Sequence, residues 1–252
     1  MNRGPLWKEG GFSESRLSQN KSMEEQEFLS VLGALRELPD EAWWVECFSR
    51  DAMTRTWSRD KMLSLGQTAS EQGRTLGESF RPELKEKGLD GLYAASGLRV
   101  QELCFQDPPG LSLFALYESP DKVYIKSALL EDCDRYVHTP ELASILGSFS
   151  CRETFLAHEY YHHQEYLRPE ELFSASYREP RGLFRSPVPV APLGEIGAMS
   201  FAKALLALPW SPFLLDCVAL ARERPGSARE LGIRMMARAG LYDENRNMEK
   251  KP

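Results

Sequence analysis

The sequence predicts an α+β fold: a mainly helical, zincin-like domain with a small antiparallel sheet and one helix that carries a metal-binding pattern. Three observations lead there. Apolar residues recur at helical spacing through most of the first hundred residues and again beyond residue 195. Period-two alternation is confined to the stretch between residues 98 and 127. Three of the four histidines fall within HEYYHH, residues 158–163.

Taken in order, residues 1–22 carry glycine, serine and scattered charge, with no apolar run followed by small residues. They read as a flexible tail rather than a secretory signal. Helical spacing holds from Met23 to about Arg36, Pro39-Asp40 punctuates it, and EAWWVECF follows. Residues 23–58 are thus expected to form an accessory helical segment, with Trp43 and Trp44 packed on the main domain or marking a partner site. The main domain is expected over 59–242. Its first helical run, Asp60 to Phe80, should end or kink at Arg81-Pro82, because a proline pushes the preceding residue out of helical geometry. GLDGLYAASG is a short helix stopped by Gly97. LRVQELCF (98–105), LSLFALYE (111–118) and KVYIKS (122–127) alternate as three antiparallel strands, the first two joined by a DPPG turn.

Helices are expected at about Ser127 to Tyr136, Pro140 to Leu146 and Cys151 to Leu167. The last is fixed by Ser150 and Glu153, which form an S-x-x-E capping box. Residues 168–194, rich in proline, arginine and aromatics, read as a loop. GEIGAMSFAKALLALP, SPFLLDCVALARER and SARELGIRMMARAGLY are helical, and 243–252 should fray.

Composition narrows the function. With 252 residues and a net charge of −6 the chain offers no basic field to a phosphate backbone, which argues against nucleic acid as the main partner. The most apolar stretch, Ala204 to Ala221, is interrupted by Pro209, Pro212 and Asp216, which suits two short buried helices and not a membrane span. Five widely spaced cysteines with no CxxC argue against a disulfide framework, so each reads as a small buried hydrophobe in a reducing cytoplasm.

HEYYH matches HExxH, and the spacing has a physical meaning. Residues four apart lie one helical turn apart on nearly the same face, so His158 and His162 can offer ring nitrogens to one ion. Glu159, about 100° around the helix, does not ligate but can reach water at the ion. Catalytic zinc needs a third protein ligand and an open position. Glu165 shares the histidine face yet lies about 10 Å along the axis from His158, so it is expected behind the ligands or at the surface. Glu195 is the stronger third ligand, because Ala198 and Ala202 follow it on one face and let its helix come close. His163 should point away from the ion, and His138 reads as a helix-end residue. The rival di-iron reading of Glu159 and His162 as ExxH requires a second ExxH, which the chain lacks.

LAHEYYHH, followed some thirty residues later by EIGAMSFAKALLALP, resembles the ImmA/IrrE family of gluzincin metallopeptidases. The resemblance spans about residues 60 to 210 and includes, more weakly, GLDGLYAASGLRVQ and the strands after it. Met199 stands where that family usually has asparagine or aspartate, and tyrosines replace its common Leu-Gly between the histidines. The resemblance implies Zn²⁺ as cofactor and a peptide or protein substrate, and relatives of this type are implied to act on repressors or to work as stress regulators. Glu159 would be the general base for a zinc-activated water. Tyr177, Arg178 and Arg181 are the candidate donors to the oxyanion. An extended peptide could pair with the edge of LSLFALYE. The alternative is a zinc-containing regulatory or protein-binding module of the same fold that does not cleave.

Overall fold

The structure, a computed structural model, describes residues 13–104, 113–180 and 186–239. Along them run α1 (Ser13–Arg36), α2 (Asp40–Arg50), α3 (Arg59–Ala95), β1 (Arg99–Glu102), β2 (Ala115–Glu118), β3 (Lys122–Ile125), α4 (Ser127–Val137) and α5 (Pro140–Leu146). Then come α6 (Cys151–Leu167), α7 (Phe173–Ser176), β4 (Arg178–Glu179), β5 (Val188–Pro189), α8 (Ala191–Leu206), α9 (Leu214–Glu223) and α10 (Pro225–Arg238). The chain is α+β and mainly helical. No helix among the described residues is long and apolar enough to cross a membrane.

The central helix is α8, whose Ile196, Ala198, Phe201, Ala202 and Leu205 are buried on several sides. It lies between α3 and α6. Such a position demands small residues, since two helix backbones close in only where side chains do not intervene. On α3 they are Ser70, Gly73 and Gly77. A Cβ on Gly77 would meet the Phe201 carbonyl at 2.5 Å, and the Ser70 and Ser200 hydroxyls bond at 2.8 Å. On the other side Gly197 makes room for the Tyr161 ring of α6, whose hydroxyl would lie 2.3 Å from a Cβ there.

α3 departs from expectation. The helix passes through Arg81-Pro82, with the Arg81 side chain bonded to the Ala204 carbonyl of α8, and breaks instead at Gly88. There φ is 68°, a conformation glycine adopts without steric cost. Proline removes only one intrahelical bond, whereas a left-handed residue redirects the chain.

The three-stranded sheet has the order β1-β3-β2. β2 and β3 are antiparallel, with Tyr117 opposite Val123, but β1 runs parallel to β3, with Val100 opposite Val123. The sheet is therefore mixed, not wholly antiparallel as expected. A parallel neighbour needs a connection of about a dozen residues or more, and the chain from β1 to β3, residues 103–121, is long enough. The expected DPPG turn lies outside the described residues.

α1 begins at Ser13, ahead of Met23, where the apolar spacing starts. The N-terminal helices share one core with the rest: Phe28, Leu32 and Leu35 of α1 are fully buried, Trp43 stacks on Phe213, and Trp44 packs over Gly66. Within the expected 168–194 loop, α7 and the antiparallel pair β4 and β5 are present. α8 starts at Ala191, which puts Glu195 on its second turn and not its first.

Candidate metal centre

Ser150 caps α6, its hydroxyl accepting from the Glu153 N–H at 3.2 Å, and this fixes the helix phase. His158 and His162 then stand one turn apart with their Nε2 atoms 3.1 Å from each other. α8 brings Glu195 to the same point: Oε2 lies 3.4 Å from His158 Nε2, and Oε1 lies 3.7 Å from His162 Nε2. Each residue offers one donor atom, and the three atoms lie within 4.8 Å of one another, so the group could hold a metal ion.

The geometry can be tested against an ion. Bonds of about 2.0–2.2 Å at tetrahedral angles put neighbouring donors about 3.3–3.5 Å apart. The two imidazole nitrogens at 3.1 Å and the His158–Glu195 pair at 3.4 Å lie close to that range, while one atom from each of the three residues spans up to 4.8 Å. Two imidazoles and a carboxylate suit zinc among other divalent ions.

The electrostatics fit the same picture. Burial opposes charge on His162, but the Glu165 hydrogen bond and the Glu195 and Glu159 carboxylates outweigh it and push its pKa up to about 9. Burial would raise Glu195, yet the hydrogen bond from His158 and the charges of His158 and His162 hold it down at about 2. The metal-free site thus keeps a carboxylate and a proton where a cation would sit.

Around the donors, Glu165 stands behind His162, its Oε2 2.7 Å from Nδ1. A carboxylate there fixes the ring and leaves Nε2 as the lone-pair nitrogen facing the ion. Gly194 leaves the space for it, since a Cβ would sit 3.3 Å from Glu165 Oε1. His158 Nδ1, in contrast, is buried with no partner among the described residues. His163 points elsewhere, its Nδ1 3.2 Å from the Tyr117 hydroxyl.

Glu159 is buried, and its Oε2 accepts from the Tyr117 backbone N–H at 2.7 Å. Sheet register explains this contact. Lys126 N–H bonds the Phe114 carbonyl, so residues 114, 116 and 118 face β3 while the N–H and C=O of Ala115 and Tyr117 face the free edge. That edge looks onto α6.

The donors open into a cavity of about 790 Å³. One part is apolar, where Phe155, one turn before His158, stacks on Phe114 at 4.5 Å. Another part is bordered by Asp216 of α9 and Arg50 of α2, so the segment expected to be accessory contributes to the wall. Nothing local in EAWWVECFSR signals this. Arg50 and Asp216 are 166 residues apart, and the tertiary packing of α2 on α3, α8 and α10 brings them together.

The oxyanion candidates are placed differently from expectation. The Tyr177 hydroxyl donates to Glu179 and the Arg178 guanidinium to the Ala175 and Tyr177 carbonyls. Neither residue borders the cavity. The pairing of β4 with β5 and the ion pair between Lys61 and Glu179 hold this segment to one side. Arg181 lies outside the described residues.

No family model, curated protein or solved structure matches the chain.

Proposed function

We propose that the chain is a zinc-dependent metallopeptidase of the HExxH gluzincin type, akin to the ImmA/IrrE family it resembles, acting on a peptide or a regulatory protein. One observation carries the reading: two imidazoles a helical turn apart and a carboxylate from a second helix converge with one donor atom each inside 4.8 Å, a cluster that could hold a metal ion. His158, His162 and Glu195 would be the ligands. Zinc held there supplies a Lewis acid that polarises a carbonyl and acidifies water near neutral pH.

The chain's own groups do the rest. Glu159, with Oε2 tied to Tyr117 N–H, keeps Oε1 to take the proton of the attacking water and pass it to the leaving amine. Glu165 holds His162 in one orientation. The free edge of β2 offers the Ala115 N–H and C=O and the Tyr117 C=O to an extended substrate strand.

Metal analysis of the purified protein beside Glu159→Gln and Glu195→Ala variants tests this. Zinc at one equivalent, kept by the first variant and lost by the second, is the expected result. A peptide library should be cleaved by wild type and not by Glu159→Gln. The second reading, a zinc-containing binding module that does not cleave, draws on the Glu159 tether to β2 and would show as zinc retention without any cleavage.

A further inference from the structure

Five carboxylates border the metal cavity, namely those of Glu159, Glu165, Glu195, Asp216 and Glu223. Negative charge developing on a bound acyl oxygen would be repelled by several of them, so a fixed donor with positive charge would add to what the proposed metal supplies. Among the described residues two arginines border the cavity, Arg50 and Arg224. Arg224 ends α9 through its backbone N–H, and its side chain forms no ion pair among the described residues. Its charge is not held in place.

Arg50 is held. Its Nε lies 3.2 Å from Glu46 Oε1, one turn back on α2, and its Nη1 lies 3.2 Å from Asp216 Oδ2 on α9. Nη2 makes no hydrogen bond among the described residues, which leaves both of its hydrogens for a guest. The side chain is about half exposed, at 47%. Its location matters as much. Arg50 borders both the 790 Å³ cavity and a second one of about 330 Å³, and the two share Glu195, Met199 and Asp216 as well. It therefore stands where the two cavities share a wall. Asp216, its partner, is close enough to Glu195 and His158 for their charges to act on its carboxyl. A donor anchored on two sides needs little reorganisation to meet new charge.

We propose that Arg50, carried by the N-terminal helix α2, is the donor to the acyl oxygen of a peptide bound in the metal cavity. The inference rests on the metallopeptidase reading of the same site. It makes α2 part of the binding machinery and not an appendage.

Two inhibitors bound to the zinc-loaded full chain test it. A phosphinic tripeptide with alanine side chains presents a tetrahedral anion where the acyl oxygen would be, while acetohydroxamate reaches the ion alone. Arg50→Met should weaken the phosphinic peptide by roughly 10- to 100-fold, the range for hydrogen bonds to charged groups, and leave acetohydroxamate within about twofold. Arg50→Lys, which keeps the charge but not the forked pairing to both Glu46 and Asp216, should retain part of the affinity and guards against a misfolded methionine variant. Unchanged phosphinic binding in both variants overturns the proposal. Equal loss of both inhibitors also overturns it, because that marks a structural role. A wild type that binds neither inhibitor overturns the metal-site reading itself, and the inference with it.

Discussion

Gly73 of α3 and Gly197 of α8 meet backbone to backbone: a Cβ on Gly73 would lie 2.2 Å from the Gly197 carbonyl oxygen. Gly197 is two residues after Glu195, so this crossing sets the position of the proposed third ligand. Gly73→Ala should therefore destabilise the protein by about 1–3 kcal/mol through overpacking, despite the better helix propensity of alanine. Metal affinity in a chelator competition should fall with it. Gly33→Ala is the control: that site on α1 is exposed with nothing within 4 Å of a Cβ, and alanine there should stabilise by up to about 1 kcal/mol. Denaturant unfolding curves of both variants check the contrast, and equal stability of Gly73→Ala and wild type would refute the close crossing.

The carboxylate of Glu165 would act on a metal at the proposed site through His162, whose Nδ1 lies 2.7 Å from its Oε2. Glu165→Gln keeps the shape but removes the charge that orients and polarises the ring. Metal affinity should fall about 10- to 100-fold, the usual effect of losing such a partner. The His162 pKa, followed by NMR in the metal-free protein, should fall as well. Unaltered affinity would show that the Glu165 charge does not tune the metal site.

These two predictions mark how far the sequence could be read. The limits of α6 were legible because helix capping and HExxH spacing are local: Ser150 does cap the helix, and the histidines do share a face. Glu195 was legible from the small residues after it, although the start of its helix was not, since Pro192 sits inside the first turn of α8. What could not be read depends on distant contacts. The parallel pairing of β1 with β3 is a choice between edges that alternation alone does not encode. The break at Gly88 was masked by the more conspicuous Pro82. Cys133 and Cys151, expected as separate hydrophobes, bring their sulfurs to 3.0 Å because α4 packs on the start of α6. Arg50 reached the cavity wall in the same way.

Metal binding should be linked to protons. In the metal-free protein His162, with its pKa raised to about 9, is protonated at pH 7, whereas a metal ligand must be neutral. Zinc binding at pH 7 should release about one proton from this residue, measurable by titration calorimetry in buffers of different protonation enthalpy. Affinity should rise up to about tenfold per pH unit and level off near pH 9. Stability of the metal-free protein follows the opposite sign for His162. Its folded pKa lies above the ordinary histidine value of 6.5, so its contribution is complete below that value and is lost as pH rises through about 9. For Glu195 the folded pKa of about 2 lies below the ordinary glutamate value of 4.5, so its contribution is present above 4.5 and is lost as pH falls towards 2. No proton release at pH 7 would mean that His162 is already neutral.

The tether between Glu159 and β2 can be cut without touching either the metal ligands or the sheet. Tyr117 N–H faces the free edge, not β3, so Tyr117→Pro removes the donor to Glu159 Oε2 and leaves the ladder bonds of β2 in place. The substitution also removes the tyrosine hydroxyl, which bonds the Pro120 carbonyl and His163. Tyr117→Phe removes that hydroxyl and keeps the N–H, and so separates the two effects. If the tether aims the base, peptide turnover should fall roughly 10- to 100-fold in the proline variant, the scale of a misplacement of about 1 Å, and much less in the phenylalanine variant. Both should keep one equivalent of zinc, because His158, His162 and Glu195 are untouched. Equal turnover by the two variants would show that Glu159 finds its orientation without β2, and that the contact with Tyr117 only closes the strand edge.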